Sequence, residues 1–89
     1  MTLHLLHFSV FRDARGCDAE RVETAAPTPL ALCAELFGPG APGLATTAPA
    51  VPARPEAWAR VAVNDAFAGW DARLAEGDTV VFLAPSAGG

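Results

Sequence analysis

The residues with the most chemical potential are the smallest ones. The sequence stops at Gly88-Gly89, behind Ala84-Pro85-Ser86-Ala87. Glycine has no Cβ, so a terminal pair of them threads a narrow channel in any backbone conformation. Extended from Ala84, the segment reaches roughly 20 Å at about 3.3 Å per residue. That is enough to carry the α-carboxylate of Gly89 into the active site of another protein. The competing reading is a frayed chain end, the commonest fate of a terminus.

Conventional catalytic groups give no rival site. There is no Ser-His-Asp, Cys-His, paired-carboxylate or phosphate-loop arrangement, so an independent enzyme is not expected. Cys17 and Cys33 lack a CxxC spacing and have no histidine cluster beside them in the sequence. Cys33 falls in an apolar helical pattern and reads as a small core residue, whereas Cys17 falls in a loop as an exposed thiol. His4 and His7 sit in a strand pattern and point to opposite faces, so no metal ligand set is expected and no cofactor is expected to be bound.

Composition narrows the class of partner. The chain has 89 residues, 52% of them hydrophobic, which suits one small domain with a modest core. No apolar run is long enough to span a membrane, and no basic segment precedes a cleavable apolar one, so the expected location is the cytoplasm. The net charge is −4 and all six basic residues are arginines. Scattered arginines on an acidic chain make a poor nucleic-acid binder and suit a basic docking surface on another protein. Lysine is absent, which excludes chains of this protein linked through its own lysines.

The elements that must hold such a tail are legible in outline. Asp78 to Leu83 is a β-branched and aromatic strand, apolar on both faces, behind a Glu76-Gly77 turn. Leu3 to Phe11 is a second apolar strand, with Leu3, Leu5, His7 and Phe11 on one face and His4, Leu6, Phe8 and Val10 on the other. Arg12 to Asp18 is a polar turn, and Glu20 to Ala25 a short strand that completes an antiparallel hairpin. Thr28-Pro29 opens a helix with a threonine N-cap and proline in the first turn. Leu32 and Leu36 form its inward stripe, and Gly38-Pro39 stops it.

Residues 38–57 are rich in Gly, Pro and Ala and read as a long, mobile surface loop. Strand character resumes from Trp58 to Asn64, Asn64-Asp65 turns, and Ala66 to Trp70 carries Phe67 on a short strand. The order fits an α+β roll with one main helix packed on one face of a mixed sheet of four to five strands. Placing the first and last strands side by side in the centre accounts for their apolar character. The opposite face then carries Leu6, Phe8, Phe67 and Leu83 outward. Residues 1–85 form the domain and 86–89 the tail.

Val63-Asn64-Asp65, Asp71, Leu74, the run Glu76 to Pro85 and the terminal Gly88-Gly89 resemble the small subunit of molybdopterin synthase. The N-terminal part is similar more loosely, through Phe8, Phe11-Arg12-Asp13 and Gly16, while the loop from Gly38 to Glu56 departs from the family. The resemblance implies a ubiquitin-like β-grasp fold and a non-catalytic sulfur-carrier role in molybdenum cofactor biosynthesis. It implies that a ubiquitin-activating-type adenylyltransferase uses ATP to adenylate Gly89. The acyl-adenylate is then converted to a thiocarboxylate, which donates its sulfur to a pterin precursor in the large synthase subunit. Gly88 and Gly89 are then the reactive end, and Phe8, Phe67, Leu83 and Pro85 the surface that docks both partners, with acidic residues as a steering rim. A thiamine-pathway carrier, carriers for other acceptors, and a ubiquitin-like modifier joined to target lysines through Gly89 share the activation step and remain open.

Overall fold

The computed structural model describes residues 1–44 and 50–85. The terminal Gly88 and Gly89 therefore lie outside the described residues, as does the middle of the expected loop. Five strands form one sheet: β1 (Thr2–His7), β2 (Ala19–Glu23), β3 (Arg60–Val63), β4 (Ala66–Ala68) and β5 (Thr79–Leu83). Their order across the sheet is β2-β1-β5-β3-β4. β1 and β5 pair in parallel at the centre, with Leu5 opposite Val80 and His7 opposite Phe82. All other pairings are antiparallel. This is the expected β-grasp roll, and the two most apolar strands occupy the centre, where each is flanked by a strand on both sides.

The main helix, α2 (Pro29–Phe37), starts where Thr28 accepts a hydrogen bond from the Ala31 amide. It buries Leu32, Cys33, Leu36 and Phe37 against the inner sheet face, where Leu3, Leu5, Val61, Val80 and Phe82 meet them. It ends at Gly38, where any Cβ would run into the Ala34 carbonyl oxygen. The core is built around aromatic rings. Phe11 lies 5.1 Å from Phe37 and 5.6 Å from Phe82, and Trp70 stacks on Phe82 at 5.6 Å.

Three expectations need correction. The first strand does not run to Phe11. It ends at His7, and Ser9–Arg15 forms a helix, α1, that replaces both the second half of that strand and much of the polar turn. Phe11 and Ala14, three apart, are the buried pair, and Gly16 closes the helix in the left-handed region at φ 75°. The run Phe8-Ser9-Val10-Phe11 is too short for its apolar spacing to separate strand from helix, and the helix buries Phe11 and Ala14 together. β1 and β2 are therefore an antiparallel pair joined by a helix rather than by a turn.

Second, the described parts of the 38–57 loop are not free of the core. Leu44 and Val51 pack against it, and Pro55–Ala57 forms a single 3₁₀ turn. Third, Trp58 precedes β3 rather than starting it. Its indole lies flat on Phe11 at 5.6 Å and donates to the Ala53 carbonyl. Pro and Ala carry little burial individually, so the anchoring came from residues that composition alone hides.

Candidate functional site: the base of the tail and the outer sheet face

β5 delivers the chain toward its end from the middle of the sheet, and a small clasp fixes where it begins. Asn64 and Asp65 take positive φ values of 52° and 70°, the two-residue turn that suits a tight hairpin between β3 and β4. The Asn64 side chain accepts from the Thr79 amide at 2.9 Å and donates to Asp78 at 2.9 Å. Asp78 in turn accepts from the Ala75 amide at 2.8 Å. The asparagine turn and the Gly-Asp turn, distant in sequence, are therefore one polar knot under the first residue of β5. Leu83, Ala84 and Pro85 emerge from the opposite end of that strand.

The outer sheet face has neither helix against it. A single row of outward positions, Ala19, Leu6, Val81, Ala62 and Phe67, crosses all five strands through their registered pairs. Leu6 is 39%, Phe8 50% and Phe67 67% exposed. Of the expected docking residues, Phe67 and Leu83 hold outward strand positions, Leu83 half-buried, while Phe8 and Pro85 are exposed outside the strands. Phe8 is exposed by a different route from the one expected, as the residue between β1 and α1. Large apolar residues left exposed together mark a docking site more often than scattered single ones do.

The charges on the face itself are mostly cationic. Its outward strand positions hold Arg21, His4 and Arg60, and one carboxylate, Glu23. Glu23 is already engaged by the Thr2 hydroxyl and lies 4.0 Å from the N-terminal amine. The net charge of −4 describes the molecule as a whole and misleads about this face. Arg60 has its guanidinium 5.2 Å from the Phe67 ring centroid and sits opposite Leu83 in the sheet.

A second cluster lies at the other flank. His7, Cys17 and Glu20 bring one ligand atom each to within 4.8 Å of one another, although no such set was legible in the sequence. The hydrogen bonds explain what holds it. Glu20 accepts from His7 Nε2 at 2.7 Å and takes the Arg15 guanidinium as a fork at 2.8 and 2.9 Å. Arg15 also donates to the Leu36 carbonyl at 3.2 Å and to the Pro42 carbonyl at 2.9 Å. It thereby supplies the cation that the last turn of α2 lacks and ties the start of the loop to α1.

A metal ion in this cluster would stand beside a guanidinium already paired with its carboxylate. The His7 Nδ1 is buried without a partner, so the imidazole also lacks the outer hydrogen bond that orients a ligating histidine. The cluster is a strut. His4, as expected, points the other way and is exposed.

The strut has a measurable signature. The Arg15 fork, helped by His7, holds the Glu20 carboxyl down at about 2 against an ordinary 4.5. A carboxyl depressed in the folded state adds stability above its unfolded value, and loses it as the pH falls from about 4.5 to 2. Acid titration of melting temperature is expected to show this loss in the unaltered chain and a flatter profile in Glu20→Gln. An identical profile would remove the strut from the account. Burial raises Cys17 above its ordinary value and pushes Cys33 up to about 12, the opposite of the lowering that activates a thiol.

Comparison with known proteins completes the site. A family model described as ThiS family matches residues 6–89, which includes β5 and the terminal Gly88-Gly89. The crystal structure of SAMP1 from Haloferax volcanii is similar, with a TM-score of 0.68 at 18% identity over 100% of both chains. A putative molybdopterin converting factor, subunit 1, from Pyrococcus furiosus is similar with a TM-score of 0.62 at 23% identity, over 97% of this chain and 99% of that one. At these identities the two structures speak for the shared fold. No curated protein matches the chain.

Proposed function

Because the chain belongs to the ThiS family of ubiquitin-like sulfur carriers, we propose that it is the sulfur-carrier subunit of a molybdopterin synthase, with Gly89 as the group that carries sulfur. The observation that supports this reading is the family match over residues 6–89, which takes in the terminal diglycine. The resemblance of the run from Val63 to Pro85 to the synthase small subunit favours a pterin precursor as the acceptor.

A carboxylate is a poor electrophile, since its charge repels nucleophiles and oxide does not leave. An adenylyltransferase partner converts Gly89 to an acyl-adenylate at the expense of ATP, releasing pyrophosphate. A hydrosulfide-equivalent donor then attacks the carbonyl carbon and AMP departs with the C–O bond, leaving a thiocarboxylate. That sulfur is ionised at neutral pH and nucleophilic by the logic that makes a thiolate reactive. The diglycine enters the large synthase subunit, where sulfur passes to the pterin precursor and a carboxylate returns. The chain supplies positioning, and its partners supply charge stabilisation. Phe8, Phe67, Leu83 and Pro85 form the docking surface for both.

Intact mass tests the reading. Incubation of the untagged chain with the adenylyltransferase, ATP and a sulfur donor is expected to add the mass of one oxygen exchanged for sulfur. No gain, with the adenylyltransferase shown active on another carrier, would overturn it. A carrier of the thiamine pathway is the second reading and has the family description itself on its side. It predicts the same mass gain, and sulfur transfer to a thiazole synthase but none to the large synthase subunit.

A further inference from the structure

Of the two arginines on the outward strand positions, Arg21 and Arg60, only Arg60 stands over an aromatic ring among the described residues. Arg15 is consumed by Glu20, and Arg12 lies 3.9 Å from both Asp13 and Asp18. Arg60 has no carboxylate within ion-pair distance among the described residues. It leans on the Phe67 ring at 5.2 Å, an arrangement that covers the face of the ring and holds the guanidinium over an apolar surface. On its other side it faces Leu83, two residues before Pro85, where the chain leaves β5.

A guanidinium fixed on an aromatic ring, beside apolar side chains, presents its free edge as a planar two-pronged donor. The matching group is a carboxylate, which accepts both prongs at once. We propose that Arg60 receives an aspartate or glutamate of the protein that docks on the outer sheet face, and so sets which protein docks. The partner surface that fits is an apolar ridge, for the row from Leu6 to Phe67, flanked by a carboxylate on the β3–β4 side. This is opposite in sign to the basic surface that the net charge suggests. The identity of the docking proteins rests on the sulfur-carrier reading, and the chemistry on this chain's own geometry.

Binding of the unaltered chain and its variants to two probes, the large synthase subunit and the adenylyltransferase from the same genome, tests it. Arg60→Ala is expected to weaken at least one complex about tenfold and Arg60→Glu about a hundredfold, since reversal adds repulsion to loss. The salt dependence of that complex is expected to flatten in Arg60→Ala, and an Arg60→Lys variant to recover only part of the affinity. Circular dichroism melting keeps a folding defect apart from a binding one.

The outcomes separate cleanly. If Arg60→Ala and Arg60→Glu bind both probes as the unaltered chain does while Leu6→Arg abolishes binding, the carboxylate inference is wrong and the docking face stands. If Leu6→Arg is also without effect, the face itself is wrong. If the unaltered chain binds neither probe, the functional reading falls and the inference with it.

Discussion

Deletion of Gly88 and Gly89 is expected to abolish sulfur transfer outright and to leave the melting temperature where it was. Among the described residues, none of the buried ones lies beyond Phe82, and the last residue packed against the core is Ala84. Glycine has no side chain that a core could lose, while removal of the two takes away the carboxylate that the mechanism uses. Addition of one alanine after Gly89 is expected to be as damaging, because the reactive carbon then moves by about 3.3–3.6 Å from its place in a partner's site. Mass spectrometry after activation and a melting curve together decide the matter. A truncated chain that still gained sulfur would sink the carrier reading. A truncated chain that lost both activity and its melting transition would show that the end of the chain belongs to the fold.

The second large effect is on the fold. Phe82→Ala is expected to destabilise the domain by about 3–5 kcal/mol, the usual range for emptying a buried phenylalanine site. Phe82 is 1% exposed and makes ring contacts with Phe11, Phe37 and Trp70 at once. Three rings that meet at one residue collapse poorly into the space it leaves, which puts the cost toward the upper end. At about 4–8 °C per kcal/mol for a domain of this size, the melting temperature falls by roughly 20 °C or more. Phe67→Ala is the contrast. Its ring is 67% exposed, so the change removes the Arg60 contact and little burial, and costs about 0.5–1 kcal/mol. Equal losses for the two variants would mean that the inner and outer faces of the sheet have been confused.

The outward set of Leu6, Phe67 and Leu83 was readable in the sequence, although a last strand apolar on both faces left its inner side unmarked, and the threonine cap with its proline located the start of α2. What the sequence concealed had a common cause. Phe8 to Phe11 is too short for its apolar spacing to separate strand from helix, and the outcome depends on a pocket made by Phe37, Phe82 and Trp58, residues far along the chain. The His7–Glu20–Arg15 strut joins β1, β2 and α1 through side chains whose spacing carries no motif. The Asn64–Asp78 clasp was visible only as two unconnected turns. The sign of charge on the docking face was hidden because net charge is a sum over the molecule and docking is a property of one side.

The order β2-β1-β5-β3-β4 makes β5 the sole bridge between two smaller pieces, the β1–β2 pair under α2 and the β3–β4 hairpin. Withdraw it and the sheet divides in two. Local openings that loosen the margins of the molecule therefore leave this strand in place, and its amides are free to exchange only when the whole sheet opens. The same connectivity makes the centre late to assemble, because Leu5 has to find Val80 across nearly the entire length of the chain. Hydrogen exchange is therefore expected to find the β5 amides among the slowest in the molecule, so that the strand from which the chain end departs is held until the sheet itself opens.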